Sequence, residues 1–144
     1  MAIAKEARLI EAFDERTGVM YCPYSVPWPL VTRDFVWFQH WETLSGGEEI
    51  LYGFSVSRKD VPETSDRVRG VIFDSGYCIR PTGENTCRIS YIVCIDPMGW
   101  VPSWANTKTA EQAYCLHYIK EHFDENPIKV SSKPAAGATA SSSS

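Results

Sequence analysis

Ahead of residue 96 the chain alternates apolar and polar residues in six runs, each closed by turn residues, and behind it Pro102 to Asp124 holds neither Gly nor Pro after its first position. A period of two belongs to strands with one buried face, and a long unbroken run belongs to a helix. This order favours an antiparallel meander followed by one helix. The expected strands are Ala7 to Asp14, Val19 to Tyr24, Asp34 to Thr43, Glu49 to Ser57, Val68 to Arg80 and Thr86 to Ile95. Glu15-Arg-Thr-Gly18 reads as the first turn, with Gly18 placed for a positive φ, Ser45-Gly46-Gly47 as the second hairpin and Pro81 to Asn85 as the last. Pro23, Pro27 and Pro29 hold Ser25 to Thr32 out of a sheet interior as an apolar loop, because proline cannot donate to a ladder. On the helix, Ala105, Thr109, Ala113, Leu116, Ile119 and Phe123 recur at three- and four-residue steps, so that this face is expected to lie on the sheet.

The fold class is therefore α+β, a six-stranded antiparallel meander packed on a long C-terminal helix. A hydrophobic content of 44% provides one core, assigned to residues 1–129. From Val130 the composition collapses to small and polar residues, so 130–144 is expected to be a disordered Ser/Ala-rich tail. A formal charge of -4 excludes broad phosphate-backbone binding, so nucleic acid is not an expected partner. The N-terminus carries charges where a signal peptide needs an apolar run, and no stretch approaches a membrane span; a soluble, cytoplasmic protein is expected.

Chemistry finds little support. Gly53-Phe-Ser55-Val-Ser57 lacks the final Gly of a nucleophile elbow and lies in a strand. His117 and His122 are five apart and diverge on a helix. Asp96, at a strand end, is expected to bond loop amides. Cys22, Cys78, Cys87, Cys94 and Cys115 form no CxxC pair and read as reduced, mostly buried thiols. No catalytic residue, metal site or cofactor is expected.

Four motifs in register then carry a resemblance: Arg33-Asp-Phe-Val36, Val68-Arg-Gly70, Ser75-Gly-Tyr77, and Ile95-Asp-Pro-Met-Gly-Trp-Val-Pro102 followed by Asn106. Their order and intervals resemble those of the START family of lipid-transfer domains, from about Lys5 to Phe123. The resemblance implies a helix-grip fold, a curved sheet wrapped on a C-terminal helix with a lipid-sized cavity between. It matches the C-terminal portion of that domain, without counterparts of the family's N-terminal helix and first strands. In the family those strands pair onto the last one, so Thr86 to Ile95 is expected to be an open edge that recruits a protein partner or a second copy.

The resemblance also implies the function, lipid binding and intracellular lipid transfer, with the alternative of a lipid sensor or an interaction module working through the open edge. Phe35, Trp37 and Gln39 share the strand face turned to the cavity, and Met20 and Gln39 stand where sterol-binding relatives often carry an acid and an Arg. A neutral Gln can bond a hydroxyl or ester carbonyl without the desolvation cost of an ion, which suits a sterol, phospholipid or related lipid. Leu51, Ser55, Ile72, Tyr91 and Val93 on later strands, and Asn106, Ala113 and Leu116 on the helix, complete the expected wall. The loop Val26 to Val31 resembles the family's omega loop, with Trp28 and Leu30 as contacts to a transiently met membrane surface. Arg58, Lys59, Arg67 and Arg69 suggest an attraction for anionic headgroups, against a plain solvated surface.

Overall fold

The computed structural model describes residues 3–4, 6–105 and 114–127. The expected tail at 130–144, and Asn106, Thr109 and Ala113 on the expected helix, lie outside the described residues. Among the described residues, ten strands precede the helix: β1 Ile3–Ala4, β2 Arg8–Ala12, β3 Thr17–Ser25, β4 Arg33–Thr43, β5 Glu49–Ser55, β6 Val68–Arg69, β7 Val71–Ile72, β8 Ser75–Gly83, β9 Thr86–Ile92 and β10 Ile95–Asp96. The main sheet runs β1-β3-β4-β5-β8-β9, with β2 also on β3 and the short β6 on β4; β7 and β10 form a small sheet of their own. Apart from the parallel β4–β6 pair, every ladder is antiparallel.

Three differences from the sequence expectation have physical reasons. Val68 to Arg80 is three strands, because β5 ends opposite Trp37 and leaves Arg33 and Asp34 of β4 free to pair with Val68 and Arg69. The chain then turns away to pair Val71 and Ile72 with β10 before rejoining β5 as β8. Pro81, expected to open the last turn, lies inside β8, opposite Cys87 and beside a register shift, so it does not end its strand. Gly18 is a strand residue without a positive φ; a side chain there would meet the Glu11 carbonyl at 2.8 Å, so close strand approach is what requires glycine. Of the five cysteines only Cys22 is buried; all are free thiols, and Cys87 and Cys94 are exposed.

The register separates two faces. On one, Met20, Trp37 and Ser55 are in line, then Gln39, Gly53 and Ser75, then Leu51, Tyr77 and Tyr91. On the other, Val19, Tyr21 and Val36 pack with Val61 into the most buried cluster, joined by Ile10 and Val56. The segment after β5 folds over this second face through ionic clamps. Arg69 grips Asp34 at 2.7 and 3.1 Å while donating to the Val61 and Pro62 carbonyls, Arg58 bridges Glu11 and Asp60, and Arg67 donates to the Tyr21 hydroxyl at 2.6 Å. These arginines, read from sequence as a headgroup attraction or a solvated surface, are fasteners of the fold.

Residues 103–105 are helical, and helix α1 covers Cys115–Glu125. Cys115, Leu116 and Ile119 are half-buried, whereas Phe123, expected on the sheet-facing side, is 49% exposed. The described helix meets the first sheet face through Cys115, whose sulfur lies 3.7 Å from the Tyr77 hydroxyl.

Candidate lipid-binding site

On the helix side of the sheet lies a mostly apolar pocket of about 240 Å³, lined by Trp37, Gln39, Leu51, Tyr52, Gly53, Ile72, Ser75, Gly76, Tyr77, Tyr91, Val93 and Ile95. Strand alternation produces the wall: residues two apart on each strand point the same way, and the antiparallel register sets them side by side across strands. Tyr77 and Tyr91 stack at 4.3 Å between centroids and 11° between planes, a flat aromatic panel at the end that Cys115 touches. Polar handles are few. The Trp37 indole N–H donates to the Gln39 amide oxygen at 3.3 Å, which holds both rotamers and leaves the Gln39 amide nitrogen as a donor toward the pocket.

The expected wall thus divides. Trp37, Gln39, Leu51, Ile72, Tyr91 and Val93 line the pocket together. Met20, Phe35, Ser55 and Leu116 are half-buried but do not line it. Ser55 has a structural task, accepting the Ile72 N–H at 2.8 Å and so tying the end of β5 to β7. Phe35 lays its ring where a side chain on Gly70 would otherwise stand, and packs edge-on to Tyr24. Tyr77 and Ser75 were not among the expected wall residues; the signal was present, since a hairpin register that places Tyr91 in the wall places its cross-strand partner Tyr77 there as well.

Beside the pocket strands, the start of β4 organises two loops. Arg33 is 4% exposed and spends its guanidinium on four backbone carbonyls: Pro97 at 3.1 Å, Met98 and Trp100 at 3.0 Å, and Val31. Burial draws its pKa below the ordinary value. Asp96 bonds loop amides as expected, accepting the Met98 N–H at 2.8 Å, and Gly99 follows with φ +67°, a conformation that favours glycine. Across from it, the apolar loop closes with the Leu30 N–H donating to the Pro27 carbonyl at 3.1 Å. Trp28 on that turn is 91% exposed, while Leu30 is half-buried and Val31 stands out instead.

The family model of the START domain matches residues 2–123. The chain belongs to the START domain family. START domain-containing protein 10 of mouse (Mus musculus) and that of human (Homo sapiens) are each 32% identical to it over 111 residues, 74% of this chain. The alignment spans 38% of the length of these relatives. The crystal structure of human STARD10 superposes with a TM-score of 0.71 at 29% identity, covering 85% of this chain and 49% of that one. The lipid transfer domain of human StarD13 gives 0.61 at 30% identity, covering 72% and 51%. Human StAR-related lipid transfer protein 5 shares the fold, with a TM-score of 0.69 at 17% identity over 80% of this chain and 56% of its own.

The sheet and C-terminal helix therefore have the helix-grip arrangement of START domains, of which this chain matches a part. START domains are lipid-binding and lipid-transfer domains. Among the described residues of this START chain no helix is long and apolar enough to cross a membrane, and no group of His, Cys, Asp and Glu could hold a metal ion.

The tyrosine panel has a measurable consequence. Burial pushes the Tyr77 and Tyr91 phenols above their ordinary pKa. An acid whose folded pKa is raised stays protonated in the fold while the unfolded chain ionises, so stability falls as pH rises through the unfolded value of about 10. Denaturant unfolding followed from about pH 8 to about pH 11 is expected to show a falling midpoint above about pH 9.5, with a shallower fall in Tyr77→Phe. Equal slopes in the two proteins would contradict the buried-phenol account.

Proposed function

We propose that this chain binds a lipid in the pocket between the main sheet and α1 and carries it between membranes. The observation that supports this most strongly is the pocket itself: a mostly apolar wall drawn from β4, β5, β7, β8, β9 and β10, with the Gln39 amide as an orienting polar group. Ligand sites for apolar molecules are built this way, with apolar area for affinity and a few polar atoms for orientation. At about 240 Å³ the pocket is smaller than the roughly 300–1,000 Å³ of drug-sized sites. A whole lipid therefore enters by parting α1 from the Tyr77–Tyr91 panel, where the Cys115 sulfur lies 3.7 Å from the Tyr77 hydroxyl. The loop carrying Trp28 gates this opening and meets the membrane surface, because indole favours the interfacial layer of a bilayer.

Among the described residues the pocket wall carries no ionic side chain, which favours a lipid whose buried part is neutral, such as a sterol or the glycerol-ester region of a phospholipid. Mass spectrometry of the purified full chain under native and then denaturing conditions is expected to show one lipid per folded protein. Trp37→Ala and Gln39→Leu are expected to lower uptake of that lipid about tenfold or more, the first by lost apolar contact and the second by lost orientation. A folded protein that takes up nothing from a broad lipid panel would overturn the carrier reading.

One observation favours a second reading. β9 ends the sheet, no strand pairs with its outer side among the described residues, and Ile92 on it is 71% exposed. Such an edge offers backbone donors and acceptors for strand addition. Under this reading the chain acts as a sensor or interaction module through β9, with binding to a partner that does not require lipid.

A further inference from the structure

β9 ends the main sheet, with β8 on one side and no strand on the other among the described residues. From Thr86 to Ile95 the chain holds one cation, Arg88, and no acid. The register with β8 sets Arg88 opposite Arg80, Ser90 opposite Cys78 and Ile92 opposite Gly76, on the face of the strand turned away from Tyr91. Like charges facing each other across a ladder destabilise it. Arg80 is paired with Glu48, whereas Arg88 is exposed and forms no ion pair among the described residues. At the other end of the strand, Gly76 offers no side chain to cover Ile92, which is 71% exposed. We propose that β9 takes up an extended acidic and apolar segment of a partner protein, whose carboxylate lies beside Arg88 and whose apolar residue, four positions away, covers Ile92.

The inference deepens the second reading above and rests on it for strand addition at β9. Three features define the occupant. An edge strand offers backbone N–H and C=O groups in a row, which only an extended segment can pair in register. Antiparallel addition continues the ladder that β8 and β9 already form. Side chains of the incoming strand alternate between faces, so their chemistry is set by the β9 residue that each one meets. On the pocket side they meet Ile89 and Tyr91, both half-buried, and apolar residues extend that wall. On the other side they meet Arg88, Ser90 and Ile92, which call for an acid, a small polar residue and an apolar one. Read in antiparallel order, the segment is apolar, apolar, small polar, apolar, acid. A second copy of this chain fits poorly, because two β9 edges bring two Arg88 side chains and no carboxylate to one seam.

The test uses the full chain and a fluorescein-labelled peptide, Thr-Val-Val-Thr-Val-Glu-Thr, with two companions in which Gln or Lys replaces Glu. Binding is read by fluorescence polarisation and its place by amide hydrogen exchange. The Glu peptide is expected to slow exchange in β9. It is also expected to bind about threefold more tightly than the Gln peptide and about tenfold more tightly than the Lys peptide, a preference that shrinks as salt is added. Arg88→Glu is expected to reverse the order, so that the Lys peptide becomes the tighter one. The peptide series leaves the protein unaltered, so it decides the matter even where that variant fails to fold. Protection of β9 by all three peptides with equal affinity would overturn the acidic partner and leave the interaction-module reading in place. No protection of β9 by any of them would overturn both. Protection of β9 without peptide, rising with protein concentration together with a dimer mass in light scattering, would assign the edge to a second copy and overturn the proposal.

Discussion

Alanine at position 34 is expected to lower the unfolding free energy by about 3–5 kcal/mol, the range found when one partner of a buried ion pair is removed. The Asp34 side chain is 4% exposed and that of Arg69 15%, with a two-pronged contact at 2.7 and 3.1 Å. Without the carboxylate the guanidinium keeps only the Val61 and Pro62 carbonyls, at 3.3 Å, and its remaining charge stays in a water-poor site. The pair also holds the segment that carries Val61 over Val19, Tyr21 and Val36, so its loss unpacks the most buried cluster. Urea unfolding of Asp34→Ala, Arg69→Met and the double variant measures this. The double variant is expected to be less destabilised than the sum of the singles by at least about 1 kcal/mol, because the second removal relieves the unpaired charge left by the first. Strict additivity would mean that the pair contributes no coupling.

Methionine in place of Arg33 is expected to cost a similar amount, about 3–5 kcal/mol, for a different reason. No opposite charge is stranded; four carbonyls lose their donor at once. Each buried acceptor left without a partner costs about 1–3 kcal/mol, reduced where the loop can move to reach water. Lysine at this position is expected to recover part of the loss, since its ammonium presents three donors without the planar spread that reaches both loops. The check is the midpoint of thermal and urea unfolding in Arg33→Met and Arg33→Lys, with a loss under about 1 kcal/mol in the methionine variant contradicting the assignment.

The sequence by itself determined the kinds of elements, their order and, for much of the pocket, which residues face it together. Periodicity, turn residues and an unbroken run are local properties, and local backbone geometry converts them directly into strands, hairpins and a helix. Gly47, with φ +79°, is the turn glycine that Ser45-Gly46-Gly47 announced. For the same reason Trp37 and Gln39 were legible as neighbours in one wall: residues two apart on a strand share a face whatever the rest of the chain does. Alternation does not say how far along the strand the pocket extends. Met20 and Phe35 have the right parity and still do not line it.

What only the tertiary structure decided depends on partners far away in the chain. Arg33 bonds carbonyls 64 to 67 residues further on, and Asp34 meets Arg69 35 residues away. No local pattern marks a carbonyl as the acceptor of a distant guanidinium, because the match exists only after β4, β6 and β10 have been brought to one corner by pairing. The arginines of the segment after β5 looked like a headgroup attraction or a solvated surface for that reason; composition counts charges, and only the fold shows that Arg58, Arg67 and Arg69 are already engaged. Tyr77 entered the pocket on the same terms: its place in the wall follows from its register with Leu51 and Tyr91, and register is a property of strand pairs, set when they meet.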